Sequence, residues 1–157
     1  MAESAKLCLF CQIARSSTST HLLYTDDQVS AFPDINPSAF RHYLVIPKNH
    51  IPTVNNLLRR AEDYQLVSHM LDVGRSLLRQ DAPESKLYRF GFHQPPFNSV
   101  NHLHLHCFAL PFIPRWKHLK YLSMGHLGDS LKLRSCWRGL NLCNQHICNF
   151  IYNDVLY

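Results

Sequence analysis

The sequence predicts one α+β domain: a mainly antiparallel sheet of about five strands, one long helix and a short N-terminal helix. Three observations carry the sheet and the long helix. Short β-type runs separated by turn chemistry fill residues 20–50, a single amphipathic stretch follows at about 60–80, and two more β-type runs close the segment up to residue 110. The order lacks the regular βαβα alternation of a doubly wound sheet. With 157 residues and 46% hydrophobic content, the chain can bury one core without disulfides.

The first runs are Leu22 to Tyr24, Val29 to Phe32 and Tyr43 to Ile46, parted by Asp26-Asp27 and by Pro33-Asp34-Ile35-Asn36-Pro37. Ala61, Tyr64, Val67, Leu71, Gly74 and Leu78 then recur at three- and four-residue steps, which predicts the long helix. Asp81-Ala82-Pro83 stops it. Leu87 to His93 and His102 to Leu110 read as the last strands, joined by Gln94-Pro95-Pro96-Phe97-Asn98. Residues 126–157 show neither a helical stripe nor strand alternation. Their Cys136, Cys143, His146 and Cys148 lack a usual zinc spacing, and this tail is assigned no structure.

The net charge of +5 is uneven: ten basic against nine acidic residues up to Phe112, then six against two. A nearly neutral body with a basic end is a poor phosphate-tracking surface, so a nucleic-acid partner is not expected and a small anion suits better. Met1 to Lys6 carries no apolar leader and no stretch reaches membrane-spanning length, which predicts a soluble protein of the cytoplasm, with peroxisome or nucleus left open. In that setting Cys8 and Cys11 read as thiols or metal ligands rather than as a disulfide.

The informative segment is His102-Leu103-His104-Leu105-His106. On a strand, residues two apart share a face, so three imidazoles point one way and two leucines the other. Imidazole titrates near neutrality and serves as nucleophile, proton donor or metal ligand. Three in strict alternation fit a reactive centre or a metal site better than a half-exposed strand, since imidazoles need partners when buried.

That run, followed by Cys107-Phe108-Ala109 and preceded by Ser99, with Cys8-x-x-Cys11 near the start and Val45-Ile46-Pro47-Lys48-Asn49-His50-Ile51 between, resembles the histidine triad nucleotide-binding (Hint) proteins over residues 7–125. Residues 89–97 and 111–117 are similar to a plant Hint-type branch that acts on adenosine 5′-phosphosulfate. The resemblance implies that His104 attacks the α-phosphorus and becomes a transient adenylyl-histidine, while His106 bonds the phosphoryl oxygens and Ser99 orients the leaving group.

It further implies AMP and sulfate as products, or ADP and sulfate with phosphate as acceptor, and no cofactor for catalysis. The alternatives are a phosphoramidase, a nucleic-acid 5′-adenylate hydrolase and a nucleotide-binding regulatory protein. Asp34 matches the family's ribose-binding acid, although a turn-forming Asp beside Pro33 explains it as well. Phe10, Ile13, Phe32 and Ile35 would line the adenine slot, or be plain core. His93 stands where many relatives have asparagine. Arg115, Lys117 and Lys120 would attract an anionic leaving group, or form a solvated basic face.

Cys8, Cys11, His50 and His102 coincide with a structural zinc set of some relatives. His102 would alternatively orient His104 through a hydrogen bond, and the two roles compete for it. A homodimer is also implied by the resemblance.

Overall fold

The computed structural model describes residues 8–58, 60–93, 100–117 and 119. Ser99, Lys120 and the tail 126–157 therefore lie outside the described residues. The elements in order are helix α1 (Leu9–Ala14), strands β1 (Tyr24–Thr25), β2 (Val29–Pro33) and β3 (Ala39–Pro47), helix α2 (Ala61–Asp81), and strands β4 (Tyr88–Phe92) and β5 (Leu105–Phe112). One five-stranded sheet runs β1-β2-β3-β5-β4, with every neighbouring pair antiparallel. The α+β expectation, with a five-stranded antiparallel sheet, one long helix and one short one, agrees with this.

Alternation along the strands separates two faces. Val29, Ala31, Tyr43, Val45, Leu103, Leu105 and Cys107 meet Val67, Met70, Leu71 and Leu78 of α2 in the main core. Leu103 and Leu105 thus do what the histidine run predicted of them. The buried stripe of α2 is wider than the sequence spacing suggested, since Met70 and Val73 join it while Ala61 is exposed. Gly74 lets helix and sheet approach closely: a Cβ there would run into Cys107 Sγ.

The helix begins where Asp63 accepts the backbone N–H groups of Leu58 and Arg60 through one carboxylate oxygen, which satisfies donors that a helix start leaves orphaned. It ends at Asp81, whose carboxylate accepts from Tyr43 Oη at 2.8 Å. Among the described residues no helix is long and apolar enough to cross a membrane.

The opposite face carries α1. Phe10, Ile13 and Ala14 pack on Phe32, Leu44 and Ile46 in a second cluster. Strand β3 starts at Ala39, four residues before the expected Tyr43, and the ladder of β5 starts at Leu105 rather than His102. In chain order β4 precedes β5 but takes the sheet edge, so the histidine strand sits between β3 and β4. A side chain of β3 and one from the residue that follows β4 reach the histidines.

Candidate active site

Four hydrogen bonds fix four imidazole tautomers. His104 directs Nδ1 at the carbonyl oxygen of His102, 2.6 Å away; a carbonyl only accepts, so Nδ1 carries the proton and Nε2 keeps a lone pair. Burial lowers the pKa of His104, against the opposing pull of that carbonyl and of the nearby Asp34 carboxylate. The neutral form is favoured, with its nucleophilic nitrogen defined.

His42 supplies the second and third assignments. Its Nδ1 accepts from the backbone N–H of Ser38 at 3.3 Å, which places the proton of the neutral ring on Nε2. That Nε2–H donates to His106 Nδ1 at 2.8 Å, with Asp34 Oδ2 3.4 Å away. His106, accepting at Nδ1, then carries its own proton on Nε2 and is a donor. The ring of His106 is 5.0 Å from that of His104 and lies parallel to Phe108 at 5.8 Å. A lone pair and a donor N–H thus stand side by side, the pairing that attack on a phosphoryl centre requires.

His42 was missed in the sequence. The signal existed: His42, Leu44 and Ile46 alternate on one face, but starting the strand at Tyr43 left His42 in the preceding loop.

The fourth assignment belongs to His102, fully buried, whose Nε2–H donates to Pro47 O at 2.9 Å. Its Nδ1 therefore faces Cys8 Sγ (3.5 Å), Cys11 Sγ (3.4 Å) and His50 Nδ1 (3.3 Å), and Cys11 Sγ is 3.2 Å from His50 Nδ1. Donors around a tetrahedral zinc, with metal–N of about 2.0–2.1 Å and metal–S of about 2.3 Å, stand about 3.3 to 3.8 Å apart. These four fit such a metal.

Burial first, then the neighbouring Cys8, raises the Cys11 thiol to about 11, and burial chiefly lowers His102 to about 4. A divalent cation would reverse the first of these and be bound by the lone pair that the second preserves. Asp34, His42 and His106 also bring ligand atoms together. Their 2.8 Å N···N contact is a hydrogen bond, too short for two donors sharing an ion.

The two roles expected to compete for His102 are divided between its parts: the ring joins the cysteines while the backbone carbonyl orients His104. Phe10 touches both, its ring edge-on to His102 (5.9 Å) and His104 (5.3 Å). In this way α1 bears on His104 and, through His102, on the Cys/His cluster at once.

Other predicted positions divide. Phe10, Ile13 and Phe32 come together, but Ile35 stands fully exposed at the turn and is absent from their cluster. The reason is local: Asp34 Oδ1 accepts from Asn36 N at 2.8 Å, an Asx turn that leaves Ile35 at its apex. Asp34 keeps its turn role and still directs Oδ2 at His42. His93 reaches the site, its ring edge 4.5 Å from His106 by centroids. Lys117 is tied down by Asn36 Oδ1 and Pro37 O (3.2 and 2.9 Å). Arg115 lines an open groove of about 620 Å³ with Lys86, Leu87 and Phe112, and that groove contains no triad histidine.

The family model described as scavenger mRNA decapping enzyme C-term binding matches residues 7–121. A bifunctional adenosine 5′-phosphosulfate phosphorylase/adenylylsulfatase of Arabidopsis thaliana is 66% identical over 132 residues, 84% of this chain and 90% of that one. An adenosine 5′-monophosphoramidase of Xenopus tropicalis is 42% identical over 104 residues, 65% of this chain and 67% of the relative. The crystal structure of a HIT family hydrolase from Legionella pneumophila Philadelphia 1 superposes with a TM-score of 0.59 at 33% identity, covering 64% of this chain and 90% of that chain.

Proposed function

The chain belongs to the histidine triad family and is an enzyme of it, and from that premise we propose that it cleaves adenosine 5′-phosphosulfate at the α-phosphorus. The observation that carries the reading is the pair of assigned tautomers, a lone pair on His104 Nε2 beside a donor N–H on His106. His104 Nε2 attacks phosphorus; the P–O bond to sulfate breaks and sulfate leaves with the electron pair, needing no proton. Water then attacks the adenylyl-histidine to give AMP and a proton, or phosphate attacks it to give ADP, and the N–P electron pair returns to Nε2. His106 donates to the non-bridging oxygen as charge develops there.

The substrate follows the Arabidopsis relative, and adenosine phosphoramidate, after the Xenopus relative, is the second reading. Asp34 accepts from the ribose, Phe10, Ile13 and Phe32 hold adenine, His93 lies against the phosphate, and Ser99 steadies the leaving group. Residues 7–125 form this domain, with 126–157 appended. Zinc on Cys8, Cys11, His50 and His102 is structural and takes no part in the chemistry. The working unit is a homodimer.

Incubating the protein with adenosine 5′-phosphosulfate, with and without phosphate, and resolving AMP from ADP tests the reading. Product that vanishes in His104→Ala supports it; product that persists in that variant refutes it.

A further inference from the structure

Strand β4 pairs with β5 so that Arg89 lies opposite Phe108 and Gly91 opposite His106. Tyr88, Phe90 and Phe92 pack into the α2 core, so alternation turns Arg89 and Gly91 to the histidine face. Above His106 this edge strand offers no side chain. His93 stands on one flank of that gap and Arg89 on the other.

Arg89 is half-buried, and its Nε, fully enclosed, meets no hydrogen-bond acceptor. The ion pairs among the described residues, such as those of Arg60 and Arg75, do not include it. An arginine cannot shed its charge to relieve burial. Its permanent charge suits it to bind an anion, and the face it occupies is the one that binds substrate in the reading above.

Position narrows the class of anion. His104, His106 and Phe108 follow one another along the chain at steps of about 7 Å. Arg89, across from Phe108, lies beyond His106 from the nucleophile. Entering and leaving groups stand in line at opposite sides of a reacting phosphorus. With His106 at the phosphoryl oxygens, the group leaving from His104's attack departs toward Arg89.

We propose that Arg89 is the oxyanion-binding residue of this enzyme, holding a tetrahedral dianion: sulfate as it leaves, and phosphate as it enters in the same place. This rests on the proposed cleavage of adenosine 5′-phosphosulfate. The planar fork of N–H donors suits two oxygens of such an ion. One subsite for both ions explains how a single His104 adduct passes from sulfate release to phosphate attack: the P–O bond to sulfate breaks as N–P forms, then N–P breaks as the bond to phosphate forms.

The test compares adenosine 5′-phosphosulfate with adenosine 5′-phosphoramidate, whose leaving group is not an oxyanion, in the full chain and in Arg89→Gln and Arg89→Lys. The ratio of kcat/KM on the phosphosulfate to that on the phosphoramidate is expected to fall about 100-fold in Arg89→Gln and about tenfold in Arg89→Lys, where charge stays but the fork is lost. Inhibition by added sulfate reports the leaving group, and the KM for phosphate, read as ADP, reports the acceptor. Weakening of either by about tenfold or more supports the subsite.

A ratio within about threefold of wild type, with sulfate inhibition and phosphate KM both retained, overturns it. So does wild-type protein active on the phosphoramidate but inert toward the phosphosulfate. Wild-type protein inert toward both substrates, or His104→Ala active on them, refutes the reading of the site instead and is distinguishable by that pattern. Should Arg89→Gln not fold, Arg89→Lys carries the same comparison.

Discussion

Replacing His42 tests whether the tautomer of His106 matters for turnover. In His42→Phe the ring that stacks on Phe108 at 4.3 Å is conserved in shape, but the 2.8 Å donor to His106 Nδ1 is gone. A buried hydrogen bond contributes about 0.5–1.5 kcal/mol, so its bias toward the Nε2–H form of His106 is worth up to about tenfold. If His106 then loses its donor role altogether, the cost approaches the roughly 10²–10³-fold of removing an oxyanion donor. The expected fall in kcat lies between those limits, with AMP affinity changed by less than about threefold.

His42→Gln places an amide N–H near the lost Nε2 while forfeiting the acceptor for Ser38 N, and it is expected to recover part of the loss. Single-turnover kinetics, AMP titration and a thermal melt of each variant make the measurement. Full activity in His42→Phe, or parallel loss of AMP binding and kcat, refutes the relay.

His104→Ala is expected to lose turnover by several orders of magnitude while binding AMP within a few-fold, checked by calorimetry against product formation. The acid limb of kcat/KM is expected below pH 6.5: burial lowers the pKa of His104, and the reactive neutral ring is protonated only as pH falls past that depressed value. A limb at or above 6.5 contradicts this. Protein purified with its metal is expected to hold one zinc per chain, Cys11→Ser none, and chelation to lower the melting temperature; equal zinc content in both by elemental analysis sinks the assignment. Gly74→Ala is expected to cost about 1–3 kcal/mol from overpacking against Cys107, partly offset by about 1 kcal/mol of helix propensity. In a Cys107→Ala background that cost should vanish, and additive denaturant midpoints would show that the contact is not responsible.

What the sequence made legible is what depends on local periodicity. The leucines between the histidines, and Val67, Leu71, Gly74 and Leu78 along α2, announce buried faces by spacing alone. Asp34 exposes the limit of such reading. Its turn role is local and visible beside Pro33, whereas its approach to His42 depends on β3 returning antiparallel to β2, with Pro33 opposite Tyr43. The same holds for Arg89, an ordinary edge-strand residue by sequence, whose setting is defined only when β5 inserts between β3 and β4. Ile35 is the converse: its apolar character suggested a slot, but the Asx turn of Asp34 holds it outward and exposed, with none of the described residues covering it.

His102 shows most clearly why the site could not be read residue by residue. Assigning a side chain either to metal or to catalysis assumes that one residue acts through one group. Here the ring binds toward Cys8, Cys11 and His50 while the carbonyl two bonds along the backbone sets the tautomer of His104. Fixing the ring therefore fixes the peptide that orients His104, the nucleophile of the proposed reaction. A metal that contributes nothing to the chemistry would still sharpen the position of the group that does.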